Sequence, residues 1–229
     1  MPATKKKSPK APVPSATSSL SEQAFGVLEE MIVTLQLPPG SLWSESMLSE
    51  SLGIGRTPVR EALQRLAEYH MVEILRRHGI RIAEVNEHEQ LLVLETRREL
   101  ERLIAARAAR RASVVERKTL AAMAQALLAA GQAGDVVELL RQYFVAKSFM
   151  AHCAGNRFSE QAIAPLYTLS RRFYFTHHRE LDNLRDVARI HAELLRAVAT
   201  GDEKEAVAAC DRHIDFAEAF TKRIITRDF

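Results

Sequence analysis

The chain has 229 residues, of which 47% are hydrophobic and 27% are charged, and its formal net charge is +3. This composition suits a helix-rich protein with one large domain or two modest ones. Because no apolar run approaches the ~20 residues of a membrane span and the two cysteines form no CxxC motif, we expect a cytoplasmic protein without membrane contact, disulfide framework or zinc knuckle.

The first segment differs in composition from the rest of the chain. Residues 1–19 are rich in Lys, Pro, Ser and Ala, and such a segment cannot bury enough apolar surface to fold. We therefore predict a disordered basic tail. Helical order is predicted to begin at Ser19, which has capping-box spacing to Glu22, and apolar residues then recur at helical intervals up to Leu35.

Two further helices are predicted to form a turn-helix pair. A short helix over about 44–52 is followed by the turn Gly-Ile-Gly and by a second helix that runs to about Tyr69. Pro58 marks the first turn of this second helix, where the missing N–H of proline would have had no partner. Arg56 and Arg60 lie one turn apart at its exposed start, away from the apolar face.

After this helix the hydrophobic period changes from helical to alternating. The stretches VEIL and IRIAEV are predicted strands, joined by a turn in which Gly79 suits a tight hairpin. Three helices followed by a hairpin make a winged helix-turn-helix over residues 20–85. In that fold the second helix of the pair enters the major groove of DNA, so we expect Arg56 and Arg60 to meet phosphates or guanine edges.

The remainder of the chain, residues 86–229, reads as helices alone. A bundle of this size could enclose a small molecule between its helices. The predicted fold class is therefore mainly α, with an N-terminal winged helix-turn-helix and a C-terminal all-helical bundle. The helices of the bundle are predicted at about 87–111, 114–131, 135–153, 158–178, 183–200 and 203–225.

Several motifs resemble one known family. The first half contains PPGSLWSESMLSESLGIGRTPVREALQRL, and the second half contains ETRRELERLIAARAA, AGN and IHAELLRAVATGDEKEAVAACDRHI. The chain therefore resembles the GntR family of bacterial transcription regulators, in its FadR-like branch with the all-helical FCD domain. The resemblance implies a homodimer that binds a palindromic double-stranded DNA operator, with residues 86–229 forming the effector-binding and dimerisation domain.

The resemblance also assigns residues to DNA. It places Arg56, Thr57 and Arg60 at the DNA-contacting positions of the recognition helix. It places His78 and Gly79 at the wing tip that enters the minor groove.

Two positions depart from the family pattern. Gly55 replaces the usual Ser or Thr before the first arginine, although a glycine cap costs only a few tenths of a kcal/mol against serine. Ser46 replaces an arginine found in some relatives, which puts one phosphate contact in doubt. Four further arginines can be interpreted equally well as solvated surface residues or as DNA contacts: Arg65, Arg76, Arg77 and Arg81.

The expected metal site of the second domain is altered. Most FCD domains resemble one another in holding a divalent metal through an Asp, a His four residues later and two more His from the last two helices. These positions fall here on Tyr143, Lys147, His191 and His213. Because a protonated lysine has no lone pair to donate, we expect no tightly bound metal. The runner-up is a metal-assisted effector site in which His191 and His213 hold a divalent metal such as zinc.

We hypothesise instead a metal-free pocket for a small carboxylate metabolite. Lys147 would supply positive charge, while Tyr143, His191 and His213 would supply hydrogen bonds. Arg97 matches a pocket-facing arginine of the family's first effector-domain helix. The alternative is that Lys147 reaches solvent or pairs with a nearby acid, and that the histidines are satisfied core groups.

These observations predict a sequence-specific transcriptional regulator, a repressor, whose operator affinity changes when the metabolite binds. The chain contains no HExxH, no GxSxG and no phosphate-cradling glycine loop, so we do not expect an enzyme. A metal-dependent helical-domain enzyme is the more distant alternative. A non-specific architectural DNA binder is a further alternative, but it would not need a helical domain of this size.

Overall fold

The structure is a computed structural model that describes residues 19–181 and 183–227. The predicted basic tail, apart from Ser19, lies outside these residues. The mainly helical fold class is confirmed, and the described residues divide into two compact units, one up to Ala83 apart from Val33–Leu35 and one from Glu84 onward. No helix in this part of the chain is both long enough and apolar enough to cross a membrane.

The first unit is a winged helix-turn-helix. Its core is formed by apolar side chains from each of its helices, such as Leu28, Leu48 and Leu63, together with Ile80 of the wing. Ser44 caps the second helix by accepting a hydrogen bond from the Met47 N–H. The elements in chain order are α1 (Leu20–Val33), β1 (Leu42–Trp43), α2 (Glu45–Leu52), α3 (Arg56–Glu68), β2 (Val72–Leu75) and β3 (Gly79–Ile82).

The wing is a three-stranded sheet, whereas the sequence predicted two strands. The strand order is β1-β3-β2, and both pairings are antiparallel. A strand of two residues is too short to show alternation, which explains why β1 escaped prediction. Gly79 has φ +89°, and a Cβ there would lie 2.4 Å from the Trp43 carbonyl oxygen, so the close approach of β1 requires glycine.

The second unit is helical throughout its described residues, and the predicted helices form within a few residues of their expected bounds. One difference is that α7 ends before residue 178 and a short 3₁₀ turn, His178–Glu180, follows it. The helices are α4 (Glu87–Arg111), α5 (Val114–Ala133), α6 (Val136–Cys153), α7 (Arg157–Thr176), α8 (Leu184–Thr200) and α9 (Glu203–Arg227).

Local signals fix most of these helix ends. Ser113 and Glu116 form a capping box at the start of α5, and the Asp135 side chain caps α6. Gly134 and Gly201 end α5 and α8 in the left-handed conformation. The sequence could therefore predict the lengths of these helices without knowledge of their packing.

Two helix pairs, α5 with α8 and α4 with α9, make the most extensive contacts in the second unit. The approach of α5 to α8 depends on Gly131, because a Cβ at this position would lie 2.5 Å from the Ala188 Cβ and 2.8 Å from the Leu184 carbonyl oxygen. Both of these atoms belong to a packed helix and cannot rotate away. The two helices must therefore separate to admit any larger residue.

We predict that Gly131→Ala lowers the free energy of unfolding by about 1–3 kcal/mol, since overpacking of a dense core forces backbone shifts. Urea denaturation followed by far-UV circular dichroism measures this change. Gly26→Ala in α1 is the matched control, because no atom lies within 4 Å of a Cβ there and alanine is the better helix former. An unchanged or raised stability in Gly131→Ala would contradict the assigned α5–α8 packing.

Candidate functional site

The first candidate site is the exposed start of α3. Arg56, Thr57 and Arg60 are solvent-exposed, while Val59 and Leu63 of the same helix are buried in the unit's core. Gly55 occupies the N-cap position without a side-chain hydrogen bond. The start of α3 therefore combines two exposed guanidinium groups with first N–H groups that no side chain caps, which is a favourable environment for an anion such as a phosphate.

Both arginines are oriented by side chains of α2. The Arg60 Nε and Nη2 atoms donate to the Glu45 carboxylate at 3.0 and 2.7 Å, and this hydrogen bonding from Arg60 lowers the pKa of Glu45. Arg56 Nη2 donates to Ser46 Oγ at 3.0 Å. The ion pair with Glu45 uses one side of the Arg60 guanidinium and leaves its Nη1–Nη2 edge directed away from the carboxylate. That edge has the geometry for bidentate donation to guanine O6 and N7.

Other basic residues of this unit have structural partners. The Arg65 guanidinium lies 3.9 Å from the centroid of the Phe25 ring, and Arg81 Nη2 pairs with Glu73 at 2.6 Å. These contacts favour the interpretation of Arg65 and Arg81 as surface residues that stabilise the domain. His78 is exposed at the tip of the wing, as its assigned role in the minor groove requires.

The second candidate site is a group of polar side chains in the interior of the second unit, which we call the buried cluster. At its centre, Glu101 Oε1 accepts hydrogen bonds from Arg97 Nε at 2.8 Å and Nη2 at 2.6 Å. Glu101 Oε2 accepts a bond from Lys147 Nζ. All three side chains are almost completely shielded from solvent. The members of the buried cluster are Arg97, Glu101, Tyr143, Lys147, Tyr167, His191 and His213.

The aromatic members pack around this ion-paired centre. The Tyr143 hydroxyl accepts from Arg97 Nη2 at 3.1 Å and lies 2.9 Å from His213 Nε2. The His191 ring stacks on Tyr143 with centroids 3.9 Å apart. Arg97 Cζ lies 5.2 Å from the centroid of the Tyr167 ring. The structure thus brings together all five residues that the sequence assigned to effector binding.

Four polar atoms of the buried cluster have no hydrogen-bond partner among the described residues: Arg97 Nη1, Tyr167 OH, His191 Nδ1 and His213 Nδ1. Leaving a buried donor or acceptor unsatisfied costs about 1–3 kcal/mol. Folded proteins therefore satisfy nearly all such atoms. Four of them on neighbouring side chains leave hydrogen-bonding capacity that a water molecule or a small polar ligand could satisfy.

Burial and charge set the protonation states within the cluster. Burial opposes ionisation of Glu101, but the charges of Arg97 and Lys147 outweigh it and lower the pKa of this carboxyl. Burial lowers the pKa of Lys147 despite the attraction of Glu101. Burial, and then the nearby cations, lower the pKa of His191 to about 3 and that of His213 well below its ordinary value. Both imidazoles are therefore neutral near pH 7.

The side chains at the family's metal positions do not suit a divalent cation. Lys147 places an ammonium group against Glu101, and the Tyr143 hydroxyl is engaged by Arg97 and His213. Within residues 19–181 and 183–227, no group of three or more His, Cys, Asp or Glu side chains is arranged to hold a metal ion. The runner-up pair of His191 and His213 would have to retain a metal beside two cationic groups.

Sequence reasoning missed two parts of these sites. Glu45 lies 15 residues before its partner Arg60, and no local pattern links the two positions. Tyr167 lies on α7, a helix to which no effector role was assigned. A separate surface groove of about 280 Å³ contains no member of the buried cluster; its lining includes Leu181, Asn183, Asp186, Val187, Phe216 and Arg223.

Comparison with known proteins identifies both units. Residues 92–216 match the FCD domain family, and residues 20–82 match the family described as bacterial regulatory proteins, gntR family. These two matches correspond to the helical unit and to the winged helix-turn-helix respectively.

Individual relatives agree with these families. The HTH-type transcriptional repressor GlaR of Escherichia coli is 25% identical over 197 residues, which cover 82% of this chain and 89% of that protein. An uncharacterized HTH-type transcriptional regulator from an unstable DNA locus of Streptomyces ambofaciens is 41% identical over 59 residues. That match spans about a quarter of each chain, 26% of this one and 25% of the relative.

Solved structures show the same fold. E. coli McbR/YncC superposes with a TM-score of 0.79 at 21% identity, covering 91% of this chain and 100% of that one. A GntR regulator from Rhodococcus sp. RHA1 superposes with a TM-score of 0.67 at 18% identity, covering 89% and 98%.

The geometry of α3 predicts that Arg60→Ala weakens binding to a cognate duplex by about 1–3 kcal/mol, roughly 5- to 150-fold, because a bidentate contact to a base is lost. Fluorescence anisotropy at fixed salt, with a duplex selected from a random library, measures this affinity. Arg65→Ala is the matched control, since it removes the same charge from the same helix but contacts Phe25. Equal losses in both variants would show that Arg60 contributes only charge.

The neutral histidines predict acid sensitivity of the helical unit. Below pH 6.5 the unfolded chain takes up protons that buried His191 and His213 cannot accept. The free energy of unfolding should therefore fall as the pH decreases from 6.5 towards 3, by about 1.4 kcal/mol per pH unit for each histidine. Urea unfolding at a series of pH values measures this slope.

His191→Asn should make that slope shallower, because the unfolded variant takes up one proton fewer than the unfolded wild type. His88→Asn, at an exposed position of α4, should leave the slope as in the wild type. A slope in His191→Asn that equals the wild-type slope would argue against a buried neutral His191.

Proposed function

We propose, from the premise that the chain belongs to the gntR family of bacterial regulatory proteins and carries an FCD domain, that it is a repressor controlled by a small carboxylate metabolite. The protein binds DNA through its winged helix-turn-helix, and it is a transcriptional regulator and not an enzyme. In the proposal, two chains form a homodimer on a palindromic operator, and the metabolite binds in the helical domain without a tightly held metal.

The DNA-binding part of the proposal is supported by the exposed edge of α3. Arg56 and Arg60 are held by Ser46 and Glu45 in positions where their guanidinium groups remain open to a ligand. The exposed wing tip at His78 can reach a neighbouring groove, as winged domains do. A two-fold symmetric dimer would present two such surfaces to two half-sites of one operator.

The observation that carries the effector proposal is the set of unpartnered atoms in the buried cluster. Arg97 Nη1 is a cationic donor without an acceptor, and the hydroxyl of Tyr167, whose ring centroid lies 5.2 Å from Arg97 Cζ, is a second donor. A carboxylate would accept hydrogen bonds from both atoms, and bonds of this charge-assisted type are roughly twice as strong as neutral ones. Lys147 is paired with Glu101, as the alternative interpretation of the sequence expected, so in the proposal the positive charge that replaces the metal is that of Arg97, Glu101 and Lys147 taken together.

Regulation then follows from differential binding. A ligand that prefers one packing of the helical bundle can change operator affinity only by the difference in its affinity for the two states. The cluster is suited to this coupling because Arg97, Lys147, His191 and His213 come from four different helices. Repression has support from the relative GlaR, which is named a repressor, and relief of that repression by the metabolite is the direction proposed here.

We predict that a carboxylate effector still acts on protein that has first been treated with EDTA to remove metal. It should stabilise this protein and release it from its operator. A ligand at 100 times its dissociation constant should add about 2.7 kcal/mol to the free energy of unfolding. Thermal unfolding with a panel of mono- and dicarboxylates identifies the effector class, and anisotropy of the labelled operator reports release. Tyr167→Phe should weaken binding by about 0.5–1.5 kcal/mol through loss of one hydrogen bond.

Thr96→Val is the control for this experiment, because it removes an exposed hydroxyl that donates to the Leu92 carbonyl oxygen of α4. Loss of the carboxylate response after EDTA, with recovery on adding zinc, would favour the metal-assisted alternative. An identical response of Tyr167→Phe and the wild type would remove Tyr167 from the proposed site.

A further inference from the structure

The buried cluster contains unequal numbers of cationic and anionic groups. Arg97 and Lys147 are both potential cations, and Glu101 is the acidic group that both of them contact. Each oxygen of Glu101 has a cationic partner, since Oε1 accepts from Arg97 and Oε2 accepts from Lys147. When Arg97, Glu101 and Lys147 are all charged, the centre of the cluster carries one excess positive charge.

Neighbouring side chains do not change this balance near neutral pH. His191 and His213 are neutral, and burial raises the pKa values of Tyr143 and Tyr167, so neither phenol ionises. Cys210, on α9 nearby, also stays protonated because burial raises its pKa to about 12. With Lys147 protonated, as its ion pair with Glu101 favours, the protein offers one uncompensated positive charge to a ligand in this interior.

We propose that Glu101 restricts the effector site to ligands with a single negative charge, in the chemical class of monocarboxylates, by neutralising one of the two cations with an internal carboxylate. This inference rests on the proposed function, because it concerns the same site. One ligand carboxylate would complete the neutralisation. A second one would leave an unpaired anion in the interior, which is costly wherever water cannot reach it.

The position of Glu101 would keep a second ligand charge close to an anion of the protein. Arg97 Cζ and Lys147 Nζ lie 5.2 and 5.5 Å from the centroid of the same Tyr167 ring, so one small ligand could be near both cations. The Glu101 carboxylate lies between those cations and is fully buried. A dianion would therefore place its second carboxylate near Glu101, and like charges in such a shared site repel.

The test compares pairs of acids that match in carbon skeleton or length and differ in charge: propanoate with malonate, butanoate with succinate, and benzoate with phthalate. Dissociation constants are measured by calorimetry on the full-length protein at pH 7.5 and constant ionic strength. For the pair that binds the wild type best, the dissociation constant of the monoanion should be about tenfold lower, or more, than that of the matching dianion. A factor of ten corresponds to a repulsion that would shift a pKa by one unit.

Glu101→Gln should reverse this preference, because the amide keeps the shape of the side chain but leaves both cations uncompensated. Dianions should then bind at least about tenfold more tightly to the variant than to the wild type, by the same repulsion argument. Glu95→Gln, at an exposed position of α4, is the matched control and should behave as the wild type. Circular dichroism verifies that each variant is folded.

The outcomes separate this inference from the proposed function. Equal affinities of the wild type for the two members of each binding pair would overturn the role of Glu101 and leave the carboxylate site intact. A folded Glu101→Gln variant with unchanged preference would also overturn it. Absence of binding of any of these anions to the wild type would count against the carboxylate site itself. If Glu101→Gln does not fold, the comparison in the wild type still decides.

Discussion

The interior of the helical unit is organised by the carboxylate of Glu101, which is shared between two buried cations. A charge removed from water is tolerated only when it is paired and hydrogen-bonded, and loss of one partner from such a group typically costs several kcal/mol. Glu101 therefore connects α4 to α6 through Lys147 and fixes the orientation of Arg97 on its own helix. The donors that remain free, and hence the ligand chemistry proposed here, follow from this pairing.

In the DNA-binding unit an ion pair has a different consequence. The pair of Glu45 and Arg60 is partly exposed, and exposed pairs contribute little to stability. Its effect is on orientation, because the carboxylate holds one side of the guanidinium and directs the other side outward. Ser46 acts in the same way on Arg56. Helix α2 thus supports the side chains through which α3 is proposed to read a duplex.

Much of the fold could be predicted because its signals are local. Helix bounds in the second unit follow caps such as Ser113 and Gly134, which act through hydrogen bonds within a few residues. Strand β1 and the 3₁₀ turn at His178–Glu180 were missed because elements of two or three residues show no periodicity. The need for glycine at position 131 was also not predictable, since it arises from contact with Ala188 on another helix.

The sequence by itself determined which groups are present and on which helix each one lies. Arg56 and Arg60 begin a proline-marked helix, and Lys147 lies at a position where the resemblance implies a metal ligand. Only the tertiary structure decided the partners: Glu101 and Lys147 are 46 residues apart, and their contact exists because α4 and α6 pack together. Periodicity defines the face on which a side chain lies, but which side chain it meets across that face depends on how the helices pack.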